Sequence, residues 1–99
     1  MERGGWVYLM TNAHHTTLYT GVTSNLRVRI KQHKDKVYRN SFTYKYNIEK
    51  LVYFNFFPSI QEAISEEKRI KGGSRLKKLK LINDQNPEWI DLWTEIEKW

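Results

Sequence analysis

The chain has 99 residues, 17 Lys and Arg against 11 Asp and Glu, a formal net charge of +6 and no cysteine. That length predicts a single domain over residues 1–99 with one modest core, and the lack of thiols excludes disulfides and thiolate metal sites, which suits a reducing cytoplasm. There is no apolar run of about 18 residues and no signal-peptide layout, so a soluble, unexported protein without a membrane partner is expected.

Met1-Glu-Arg-Gly-Gly5 reads as a short flexible lead-in. Residues 6–11 and 17–22 read as the strands of a hairpin, closed by Asn12-Ala-His-His15 as a four-residue loop. Folding back between Ala13 and His14 sets Tyr8 opposite Tyr19, and because cross-strand partners share a face, the two phenols lie side by side. Thr23 or Ser24 caps a first helix running to about Val37, with Leu26, Ile30, His33 and Val37 as its inward stripe. Residues 38–47 have no helical period and read as an aromatic, basic loop. Leu51-Val-Tyr-Phe-Asn-Phe-Phe57 is the strongest strand. Apolar on both faces and stopped by Pro58, it is expected in the sheet's interior.

Ser59 and Glu62 fit a capping box that opens a second helix to about Lys71, which Gly72-Gly73 ends. Ser74 then caps a third helix with Leu76, Leu79 and Ile82 inward. Asn86-Pro87 starts a final helix whose Trp89, Leu92, Trp93 and Ile96 form one face. The predicted order ββαβααα, three antiparallel strands with helices packed around them, is an α+β fold.

The charge is unevenly placed. Residues 27–39 hold six Lys or Arg against one Asp, residues 68–80 hold seven against none, and from Asp84 onward five acids face Lys98. A basic body carrying aromatic residues predicts a nucleic-acid partner, with solvated helix faces as the bland alternative. Arg27, Lys31, Lys34, Lys71, Arg75 and Lys78 are the candidates for touching its phosphates.

Glu67 is the sharpest local anomaly. Ile60, Ala63, Ile64 and Ile70 define the buried face of the second helix, and Glu67 projects from its middle while Glu66 points off it. An inward carboxylate loses hydration worth several kcal/mol unless a cation replaces it. That cation is a metal ion, or Arg29 or a lysine of the third helix in a structural ion pair. Arg29 and His33 lie four apart on one side of the first helix, where an arginine can fork onto phosphate and a histidine can bond a phenol or shuttle a proton. The alternative is a surface cation and a packed ring. Tyr8 and Tyr19 face that pair. A phenol with a pKa of about 10 serves as a general base only where cations favour its charged form, and otherwise it is an ordinary strand tyrosine. His14 and His15 read as turn residues. One carboxylate with water and phosphate oxygens suits Mg²⁺.

Together these residues resemble the GIY-YIG nuclease superfamily. Val7-Tyr8 stands at the first signature tripeptide and Tyr19-Thr-Gly21 at the second, Arg29 follows Gly21 by eight residues, and His33 follows by four more. The resemblance covers about residues 6–93 and is strongest to the small stand-alone bacterial endonuclease branch. The pieces it shares are Leu18-Tyr-Thr-Gly-Val-Thr23, Phe42-Thr43, Leu51-Val-Tyr53, Glu67-Lys-x-Ile-Lys71 and Asn86-Pro-x-Trp89. The resemblance implies a three-stranded antiparallel sheet flanked by helices and a metal-dependent endonuclease. In it Tyr8 acts as base or positions water, Tyr19 assists, Arg29 steadies the scissile phosphate, His33 hydrogen-bonds within the site, and Glu67 holds one Mg²⁺ or Mn²⁺. Asn86 stands near the family's late asparagine, with Asn83 as rival and a helix cap as its other explanation. DNA is implied ahead of RNA, at irregular or branched structures, with a protein partner supplying specificity. The alternative function is a nucleic-acid-binding module of the same fold with little or no turnover.

Overall fold

Alternation along one central strand divides the core. The structure, a computed structural model, describes residues 4–99. In β1 (Gly5–Thr11) the side chains of Trp6, Tyr8 and Met10 turn to one face, and Val7 and Leu9 turn to the other. β2 (Leu18–Thr23) and β3 (Lys50–Phe57) pair antiparallel with it on either side, in the order β2-β1-β3. On the Tyr8 face, Leu26 and Ile30 of α1 (Leu26–Lys34), Ile48, Leu51, Leu92 and Ile96 of α5 (Trp93–Ile96) complete one apolar cluster. On the Leu9 face, Val52 and Tyr53 meet Ala63 and Ile70 of α3 (Ile60–Lys71) and Ile82 of α4 (Arg75–Gln85). A short α2 (Phe42–Lys45) lies between α1 and β3. The result is the expected α+β class with a three-stranded antiparallel sheet, in the order ββααβααα rather than ββαβααα.

The hairpin register differs from the expected one by two residues. Tyr8 faces Gly21, and Met10 faces Tyr19. The loop is longer than four residues because Asn12 organises it: its Oδ1 accepts the Thr16 and Thr17 amides at 2.9 and 3.1 Å, while His15 takes a φ of 57°. Since side chains alternate with a period of two, this shift leaves both phenols on the same face, now as diagonal neighbours.

Other differences have equally local causes. Residues 1–3 of the expected lead-in lie outside the described residues, and Gly5 already belongs to β1. Asn25, not Thr23 or Ser24, caps α1 by accepting the Val28 amide at 3.2 Å; the chain turns away at Lys36, φ 55°, leaving Val37 exposed. The expected loop over 38–47 contains α2, which Ser41 caps.

β3 is an edge strand, not an interior one. It tolerates its apolar sequence because side chains occupy the missing partner's place. Gln85 accepts the Phe54 amide at 3.0 Å and donates to the Phe54 carbonyl at 2.8 Å, and Asn86 donates to the Val52 carbonyl at 3.2 Å. Within α3 the capping box forms as expected, but Ile64 is exposed. In α4, Leu81 packs inward in place of Leu76, which is 77% exposed. Asn86 closes α4 instead of opening a new helix. Trp89 at φ 55° breaks any helical run, so only residues 93–96 are helical. No helix among the described residues is long and apolar enough to cross a membrane.

Candidate active site

Tyr8 owes its position to a glycine. Its ring runs across Gly21 on β2, so close that a Cβ there would overlap ring carbon Cζ and the hydroxyl. The phenol is buried, 1% exposed, and its hydroxyl lies 3.0 Å from His33 Nε2. Tyr19 is half-buried on the rim, its ring 6.2 Å from Tyr8 and 5.6 Å from His33. Arg29, one helical turn before His33, donates to Gln32 at 3.1 Å and lies 5.1 Å over the Tyr38 ring. Four of the five residues expected in the centre therefore converge on one face of the sheet.

The charge states follow from burial. Burial pushes the Tyr8 phenol up, Tyr19 adds to that rise, and the Arg29 guanidinium beside it opposes both without prevailing. Of the two readings open for Tyr8, the nearby cation does not produce a phenolate, and Tyr8 is a neutral phenol at rest. Burial, then Arg29, takes His33 down to about 4, so its ring is neutral near pH 7 and carries one hydrogen. Its other nitrogen, Nδ1, lies 2.9 Å from Thr43 Oγ1, and Thr43 Oγ1 lies 3.1 Å from Ser41 Oγ. Sequence reasoning had Thr43 only as part of a shared motif and gave Gly21 no spatial role. The signal available was a small polar residue two positions after a serine able to cap a helix.

Glu67 stands apart from this cluster. It is buried, 8% exposed, on α3, which packs under β1 and β2 on the Leu9 face. Its cation is neither Arg29 nor a lysine of α4 but Lys71 of its own helix, at 2.7 Å. The Glu67 hydrogen bond raises the Lys71 pKa, and Tyr19 lies near enough to add to that rise.

The other candidates are dispersed. Arg27 donates to the Glu97 carbonyl at 3.0 Å, Lys31 pairs with Asp35 at 2.8 Å, and Lys34 pairs with Asp91 at 2.5 Å. Arg75 holds the His15 carbonyl at 3.2 Å, tying the hairpin loop to α4. Lys78 lines a basic groove between α3 and α4 with Arg69, Lys77 and Lys80. Asn86 is buried, bonding the Val52 and Ile90 carbonyls and the Ile90 amide, so its amide is used by the fold. The His15 ring lies 4.8 Å from that of Trp89, tilted by 32°. Among the described residues no three His, Cys, Asp or Glu side chains group as a metal site.

Residues 4–80 match the model of a family described as the GIY-YIG catalytic domain. A UPF0213 protein of Syntrophus aciditrophicus is 36% identical over 83 residues, covering 84% of this chain and 93% of its own length. Another UPF0213 protein, from Clostridium perfringens, is 40% identical over 81 residues, covering 82% and 85%. The solution NMR structure of a UPF0213 protein from Bacillus halodurans matches with a TM-score of 0.55 at 27% identity, over 89% of this chain and 92% of that one.

Proposed function

This chain belongs to the GIY-YIG nuclease family, and from that premise we propose that it hydrolyses DNA phosphodiester bonds with the help of a divalent cation, in the cytoplasm. The observation that supports this reading best is the cluster of buried Tyr8 and His33 with half-buried Arg29 and Tyr19 at its rim. Among the described residues Arg29 has no acidic partner; it contacts the neutral Gln32 amide, the Tyr38 ring and the Tyr8 hydroxyl, so it can release Gln32 and fork onto a phosphate. Tyr19 meets the attacking water from the rim and Tyr8 stands behind it, the phenol pair holding a water hydrogen so that a lone pair faces phosphorus. His33, neutral at pH 7, keeps Tyr8 in place.

Glu67 is a buried carboxylate already matched by a positive charge, a setting that a hard cation with its own waters can share or take over. When bound, Mg²⁺ or Mn²⁺ supplies charge to steady the leaving oxygen. Irregular or branched DNA is the substrate class we assign, ahead of RNA, with a protein partner supplying specificity. Phe42 is exposed and stacks on Tyr19 at 6.1 Å, so an unpaired base can extend that stack beside the scissile bond.

A binding module with the same fold and little turnover is the rival reading. One observation favours it: Lys71 already neutralises Glu67, as in a purely structural pair. Nicking assays on duplex, flap, junction and single-stranded oligonucleotides, with Mg²⁺ or Mn²⁺ and with chelator, separate the two. Metal-dependent nicking that Glu67→Ala abolishes while binding survives supports the enzyme. Binding by the wild type with no nicking of any substrate supports the module.

A further inference from the structure

Behind the Tyr8–His33 contact runs a chain of hydrogen bonds that points one way. Ser41 Oγ lies 2.7 Å from the Tyr38 carbonyl oxygen, which can only accept, so the serine hydrogen is committed there. The same oxygen receives the Tyr44 amide at 3.2 Å. In its 3.1 Å contact with Thr43 Oγ1, therefore, the threonine is the donor. Thr43 Oγ1 has then given its hydrogen away and faces His33 Nδ1 at 2.9 Å as an acceptor, which places the ring hydrogen on Nδ1. His33 Nε2 is left bare, and at 3.0 Å it accepts from the Tyr8 hydroxyl. Reversing any one link sets two lone pairs or two hydrogens face to face.

We propose that Ser41 and Thr43 are positioning residues of the nuclease site, which fix the His33 tautomer and so turn the Tyr8 hydroxyl hydrogen inward. The proposal rests on the nuclease reading above. Its consequence is directional: with its hydrogen tied to His33, the Tyr8 oxygen offers only lone pairs toward Tyr19, Arg29 and the substrate. A phenol in that state accepts hydrogen bonds from the reacting side and donates none, which is what a group holding a water hydrogen requires. The anchor of the chain is a backbone carbonyl just before α2, so the short helix serves the site as well as covering the core. His33 holds only one hydrogen near pH 7, in keeping with its depressed pKa.

The test is made on the full chain labelled with ¹⁵N. Long-range ¹H–¹⁵N correlations of the His33 ring are expected to show a protonated Nδ1 and a bare Nε2. Thr43→Val keeps the shape and removes the acceptor. It is expected to move the ring hydrogen toward Nε2 and to lower kcat for nicking by about tenfold, the low end of the loss seen when the orienting partner of a metal-bound histidine is removed, with KM within about twofold. Thr43→Ser, which keeps the hydroxyl, restores both. A bare Nδ1 in the wild type overturns the proposal, as does a Thr43→Val protein with unchanged ring signals and kcat. If Thr43→Val fails to fold, the wild-type tautomer and the Thr43→Ser rates still decide. A wild type that nicks nothing overturns the nuclease reading and with it the positioning role, while the ring signals separately decide the tautomer.

Discussion

The two faces of the sheet are built from alternate residues of the same strand, yet they solve different problems. The Leu9 face is closed by aliphatic side chains of α3 and α4, with Glu67 as a buried charge matched by Lys71. The Tyr8 face buries a phenol, an imidazole and a threonine hydroxyl in one connected set of hydrogen bonds. Among the described residues no buried side-chain polar atom is left without a partner. The contrast teaches that the polar part of the Tyr8 face is a fully satisfied network, and such networks hold groups in one orientation. Both faces carry an apolar cluster that stabilises; the Tyr8 face adds a polar network that positions.

Substitutions on the two faces sharpen this contrast. Arg29→Ala should lower nicking by about a thousandfold, worth about 4 kcal/mol in the transition state, with DNA binding little changed. Nicking at the wild-type rate would make the polar face merely structural. On the other face, Leu9→Ala should cost about 3 kcal/mol in urea unfolding yet leave nicking per folded molecule unchanged. Gly21→Ala forces a methyl against the Tyr8 ring. It should cost about 2 kcal/mol by overpacking and also depress nicking, so here stability and activity fall together.

A smaller effect comes from pH. His33 is held at about 4 in the fold against 6.5 for the free side chain. The unfolded chain therefore takes up a proton before the folded one does. Stability is complete above about pH 6.5 and falls as pH drops toward 4, by an amount on the order of 2 kcal/mol. His33→Gln should flatten that slope in thermal melts run across the window. The smallest change expected is for Leu76→Ala, under about 0.5 kcal/mol, because the side chain stands in solvent.

The sequence carried the class of the fold and the grouping of Tyr8, Tyr19, Arg29 and His33 on one face, since periodicity and capping are local properties. The alternation of β1, the capping box at Ser59 and the i, i+4 pairing of Arg29 with His33 are all written within a few residues of chain. Even the misplaced hairpin register kept Tyr8 beside Tyr19, because an even shift preserves the face. Leu76 misled because hydrophobic identity alone does not say which residues meet a neighbour, and Trp89 because its positive φ ends the helical run.

What tertiary structure alone decided is which distant groups complete one another. Tyr8 fits because Gly21, thirteen positions away, leaves room for its ring, and β3 lies at an edge because Gln85 satisfies Phe54 from the end of α4. The ionisation of Tyr8 and His33 depends on the same long-range burial, which outweighs Arg29 at Tyr8 and adds to it at His33. Local sequence sets propensity and periodicity; desolvation and hydrogen-bond direction exist only once the chain has closed on itself.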